Sequence, residues 1–81
     1  MANRSDMIAE LLHTMRELHR RSNDGIDVRL LWSEHDGQVL VAVADGQTGE
    51  EFAVEVREDD RALDVFHHPF AYAVRALPVA A

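Results

Sequence analysis

The side chains with chemistry to offer are histidines and carboxylates: the chain has five histidines, 15 aspartates and glutamates, and no cysteine. His67 and His68 are adjacent, and Asp64 precedes them at i−3 and i−4. On a helix, neighbouring residues point about 100° apart, so the two imidazoles cannot easily share an ion. One of them with Asp64 supplies two donors, where a tetrahedral site needs three or four. His13 and His19 are six apart, outside ligand spacing, and His35 falls in a turn-forming stretch. Paired acids can do acid–base work. Asp59-Asp60 and Glu50-Glu51, however, read as a helix start and a strand start. Ser5, Ser22 and Ser33 lack the glycine context of a nucleophile elbow, and Thr48-Gly49 is not a phosphate-binding loop. No catalytic, metal-ligating or cofactor-binding residue is assigned, and the expectation is a protein that is not an enzyme.

The densest unusual segment is His67-His68-Pro69-Phe70-Ala71-Tyr72. Two histidines, a proline and two aromatics within six residues suit a recognition edge, with His67, His68, Phe70 and Tyr72 as its contacts. The competing reading is structural: Phe66 and Phe70 plug the core while Pro69 turns the chain.

Three runs of period two supply the frame for any such site. Ile26, Val28, Leu30 and Trp32 alternate in the first, Val39, Val41 and Val43 in the second, and Phe52, Val54 and Val56 in the third. Glu34-His35-Asp36-Gly37 and Gly46-Gln47-Thr48-Gly49 separate them, both rich in turn formers. A four-residue first loop sets Trp32 opposite Val39, Leu30 opposite Val41 and Val28 opposite Val43, pairing apolar with apolar. The same logic sets Val39, Val41 and Val43 against Val56, Val54 and Phe52. That face is expected to be core. The opposite face has a small apolar centre, Leu31, Leu40, Ala42 and Ala53, with Arg29, Asp27, Glu51 and Glu55 at its rim. A face meant only for water would carry more polar residues there. Two covers suggest themselves. One is a second copy stacked face to face through Arg29, Leu31, Leu40, Ala42, Ala53 and Glu55. The other is the tail from Phe70 to Leu77.

Ahead of the strands, a helix is expected over 4–22. Ser5 caps it, and Ile8, Leu11, Leu12, Met15 and Leu18 form its apolar stripe. Ser22-Asn23-Asp24-Gly25 stops it, and the stripe is expected on the Val28/Val41/Val54 face. Strands follow at 26–33, 38–45 and 50–57. A second helix over 59–67 begins at the acids Glu58-Asp59-Asp60. Pro69 ends it and opens a short helix or tail over 69–77. The fold class is α+β: one domain over 1–81, with a three-stranded antiparallel meander and helices on one face. This α-β-β-β-α order resembles the topology of the double-stranded-RNA-binding fold. Acids stand where that family carries basic residues at the start of its second helix.

Composition bounds the partners. With 81 residues the chain has length for one domain. Its formal net charge is −7, and all eight basic residues are arginine. That balance repels nucleic acid and anionic membranes, so neither is expected as a partner. Arginine without lysine, alongside abundant alanine and valine, matches the codon usage of a high-G+C bacterium. Arg4 and Asp6 flank no apolar signal-peptide core, and the absence of cysteine suits a reducing cytoplasm, the expected location. The function expected is a non-enzymatic protein-interaction or regulatory module acting as a homodimer. The alternative is a small-ligand-binding protein or enzyme with its site at a dimer interface near His67 and His68.

Overall fold

The computed structural model describes residues 15–78. They form an antiparallel meander of four full strands: β1 (Arg16–Asn23), β2 (Ile26–Trp32), β3 (Val39–Asp45) and β4 (Glu51–Glu55). A short helix α1 (Ala62–His67) and a 3-10 helix (Pro69–Arg75) follow. A two-residue strand β5 (Leu77–Pro78) then adds to the edge of β4, giving the order β1-β2-β3-β4-β5.

The pairing of β2, β3 and β4 follows from their alternation. Leu30 faces Val41, Val28 faces Val43 and Trp32 faces Val39. Val41 faces Val54 and Val43 faces Phe52, and the Val56 amide donates to the Val39 carbonyl at 2.9 Å. A one-residue slip would turn every valine to the wrong face. Two loops of one design hold the register. Ser33 N–H donates to Gln38 O and Gly37 N–H to Ser33 O; in the next hairpin Asp45 N–H donates to Glu50 O and Gly49 N–H to Asp45 O. Each loop ends on a glycine in the left-handed region, Gly37 at φ 73° and Gly49 at φ 74°, a conformation that a Cβ disfavours.

The expected helix over 4–22 is not what its second half forms. Arg16–Asn23 is strand β1, paired with β2 from Arg16↔Trp32 to Asn23↔Ile26; the first half of that helix lies outside the described residues. Asp24 and Gly25, expected to stop a helix, instead make a two-residue hairpin turn with φ of 52° and 78°. Positive φ at both positions is the type I′ geometry that Asp-Gly favours. Residues 16–21 have good helix formers, but tertiary context overrides that weak preference. Without β1, β2 would leave a row of unpaired backbone groups at the sheet edge. The sheet is therefore larger than three strands. The described order, four strands before the first described helix, is not that of the double-stranded-RNA-binding topology.

The inner face carries Val28, Leu30, Val41, Val43, Phe52 and Val54, closed by Val65 and Phe66 of α1. Tyr72 and Ala76, from the 3-10 helix and its C-cap, pack beside them. The helical elements thus lie on the expected face. Helix α1 begins at Ala62, three residues later than the acids suggested. Those acids serve a turn: Asp60 N–H donates to Arg57 O at 3.0 Å, and Arg57 N–H donates back to the Asp60 carboxylate at 2.9 Å. The outer face holds a second buried cluster, Met15 with Leu31, Leu40 and Ala42. Met15, expected on the inner face, is therefore on the opposite side, and Leu18 is exposed at an irregularity between Glu17 and His19.

Candidate functional site

At one corner of the inner layer, the β1–β2 hairpin meets the junction of α1 and the 3-10 helix. A cleft of about 400 Å³ lies between them. Arg21, Asn23 and Asp24 form one wall, His67, His68 and Phe70 the other, and Ile26, Val28 and Pro69 contribute apolar surface. Its size falls within the range of small-ligand pockets, roughly 300–1,000 Å³.

Each wall has a local cause. The Asp24-Gly25 turn puts Asn23 and Asp24 at the hairpin tip. That tip is braced by the neighbouring loop: Gly46 N–H donates to Gly25 O at 2.8 Å, and the Gln47 amide donates to Asp24 O at 2.8 Å. Arg21 shares the inner side of β1 with Asn23, opposite Val28. Its Nη2 donates to Phe66 O at 2.9 Å and to His67 O at 3.2 Å, while its Nε donates to Phe66 O at 3.2 Å. The guanidinium lies 5.4 Å from the Phe66 ring centroid. It thus caps the C-terminal carbonyls of α1 from a strand 45 residues away, where a cation also suits the helix dipole. The His19 ring lies tilted against the same Phe66 ring, with centroids 5.0 Å apart.

The 3-10 helix starts at the buried Pro69, whose fixed φ and missing N–H suit a first-turn position. Phe70 meets Phe52 edge-on at 5.5 Å, yet remains 53% exposed at the cleft mouth. The far end of this helix is tied down. Arg75 donates to the Asp60 carboxylate at 2.7 Å and lies 5.1 Å from the Tyr72 ring. This guanidinium bond, with the Arg57 amide bond, holds the Asp60 carboxyl below its ordinary range. Tyr72 donates its hydroxyl to Asp64, and that bond, with desolvation, pushes the phenol above its ordinary range. Asp64 is thereby engaged by Tyr72 instead of joining a histidine as a donor pair. Among the described residues, no group of three or more histidines and acids is placed to hold a metal ion.

The sequence-derived sites separate in space. His67, His68 and Phe70 come together along the cleft, whereas Tyr72 is half-buried against the inner core. On the outer face, Leu31, Leu40, Ala42 and Ala53 are buried within the single chain, Arg29 is half-buried and Glu55 is exposed. The tail does not cover that face: Leu77 pairs with Ala53 at the sheet edge, Val74 points to solvent, and Phe70 lies against Phe52. Arg21, Asn23 and Asp24 were not expected at a site. The signal for them was Asp24-Gly25 ahead of an alternating run, a strong hairpin mark. Among the described residues no helix is long and apolar enough to cross a membrane. Comparison with family models, curated proteins and solved structures gave no match.

Proposed function

We propose that the protein is a non-enzymatic interaction module whose partner site is the corner formed by His67, His68 and Phe70. The observation that carries this reading is Phe70. An aromatic ring more than half exposed beside a cleft with apolar surface is a typical anchor of protein contacts. Leu63, 59% exposed, lines a shallower hollow with His67 and His68 on the adjoining side of α1, which extends the apolar surface past the cleft. The supports are stiff: Pro69 is buried, Arg21 clamps the end of α1, and Arg75 clamps the end of the 3-10 helix. A preorganised surface loses less entropy on binding. Homodimerisation is one form this association takes, with the corner, not the buried outer face, supplying the contacts.

A second reading, a small-ligand-binding protein or enzyme, draws support from the cleft itself, which joins two imidazoles with Arg21, Asn23 and Asp24 around a volume suited to a small molecule. One experiment separates the two. Immobilised wild-type and Phe70→Ser proteins are exposed to lysate of the native cell, with sedimentation velocity of each run in parallel. The interaction reading expects a protein, or a second copy, held by wild type and released by Phe70→Ser. Identical retained proteins and identical sedimentation would reject it.

A further inference from the structure

Among the described residues, apolar exposure gathers on the helical layer. Of the large apolar side chains left open, Leu63 belongs to α1, Phe70 and Val74 to the 3-10 helix, and Leu18 to strand β1. Phe70 is the one that borders the 400 Å³ cleft, whose apolar surface comes from Ile26, Val28 and Pro69. A space of that size takes a phenyl ring with room to spare. The ring is held in place from behind by its edge-on contact with Phe52 at 5.5 Å, so presenting it to a partner costs little entropy. A projecting ring and a recess side by side on one surface are self-complementary. A twofold axis passing near Phe70 sets each ring over the recess of the other copy.

We propose that the occupant of the cleft is Phe70 of a second copy of this chain, exchanged reciprocally across a twofold axis. This rests on the reading of the corner as the interaction site and names its partner. Charge selects a second copy. Two chains of net charge −7 repel, so they meet at least cost where the surface is least acidic. The cleft is such a place: its charged side chains are Arg21 and Asp24, which offset each other, and His67 and His68 add no negative charge at any pH. The hollow at the opposite end of β3 and β4 is different, with Asp36, Glu55 and Glu58 against Arg57. A basic partner is drawn to acidic surface of that kind, not to a balanced, apolar corner. Two phenyl rings bury roughly 300–500 Å² between them. That is the scale of a small, reversible interface, and the association expected is weak.

The test is sedimentation equilibrium at high micromolar concentration with isotope-filtered NMR of the wild type. In a mixture of isotope-labelled and unlabelled wild-type chains, the Phe70 ring of one copy should give cross-peaks to the Ile26 methyls of the other. Phe70→Ser removes the ring and leaves the recess open. It should weaken dimerisation about 100-fold, because each dimer loses two anchors worth about tenfold apiece. Asn23→Trp fills the recess from the hairpin side and keeps the ring, and it should weaken dimerisation similarly. Mixing the two variants should restore association of intermediate strength, since the ring of one enters the open recess of the other. A dimer without those cross-peaks, or one that Phe70→Ser leaves intact, overturns the exchange. So does a mixture that associates no better than either variant alone. A wild type that stays monomeric also overturns it. If Phe70→Ser nonetheless releases a protein captured from lysate, the corner remains an interaction site with a different partner; if it releases none, the reading of the corner falls as well.

Discussion

The two faces of the sheet reach the same burial by different means. On the inner face, branched and aromatic side chains such as Val28, Val43 and Phe52 meet Val65 and Phe66 from α1. On the outer face, Leu31 and Leu40 are joined by small Ala42 and Ala53, with an exposed rim where Arg20 pairs with Asp27 at 3.2 Å. Ser22 donates to Asp27 as well, and these bonds hold that carboxyl below its ordinary range. Residues 40 to 43 alternate between the two faces, yet all four are buried. Alternation in a sequence therefore sorts residues by face. It does not say whether a face meets water, a second subunit or another part of its own chain, because burial depends on what arrives from elsewhere.

The largest effects come from charging the two centres. Val41→Asp should abolish the cooperative circular-dichroism melt, because it strands a carboxylate in the inner core. Leu40→Arg should do the same from the outer side. If the outer face were merely an interface between copies, Leu40→Arg would instead give a well-folded monomer, visible by sedimentation, and the equivalence of the faces would fail.

Truncation should sharpen the contrast. Phe66 is fully buried and also carries the His19 and Arg21 contacts, so Phe66→Ala should lower unfolding free energy by about 3–5 kcal/mol in urea titration. Leu31→Ala, on the outer face, should cost about 2–5 kcal/mol. A loss under about 1 kcal/mol for Leu31→Ala would mean that the outer side is loosely closed and that only the inner side is packed as a core.

The smallest expected effect is a pH dependence at the inner-face tail. Asp60 has its carboxyl lowered from an ordinary 3.8, first by the Arg75 bond. A depressed carboxyl stabilises the fold above its unfolded value and loses that contribution as pH falls through the folded value. Stability of the wild type should therefore decline below about pH 4. Asp60→Asn should flatten that part of the profile while lowering stability at pH 7, because Arg75 has a buried Nε without a partner among the described residues and would lose its carboxylate too. An unchanged acid limb in Asp60→Asn would remove Asp60 from the account.

What the letters alone determined is the part of the fold ruled by local pattern. Val28, Val41 and Val54 share a face because side chains alternate along a strand, and their register follows because any other leaves apolar residues opposite charged ones. Pro69 at the start of a short helix is likewise local, since a fixed φ acts on its own neighbours. Arg16–Asn23 was not legible. Its charged residues carry no period of two and are adequate helix formers, and the strand exists because the edge of β2 needs hydrogen-bond partners. Asp24-Gly25 was ambiguous for the same reason: a glycine after a polar run ends a helix or turns a hairpin according to what precedes it. The cleft lies further still from the sequence, because Arg21 and His67 meet only when the first hairpin and the last helices pack on the same sheet. Burial of Leu40 belongs to this second kind as well: its side of the strand is written in the alternation, and its isolation from water was decided by the rest of the molecule.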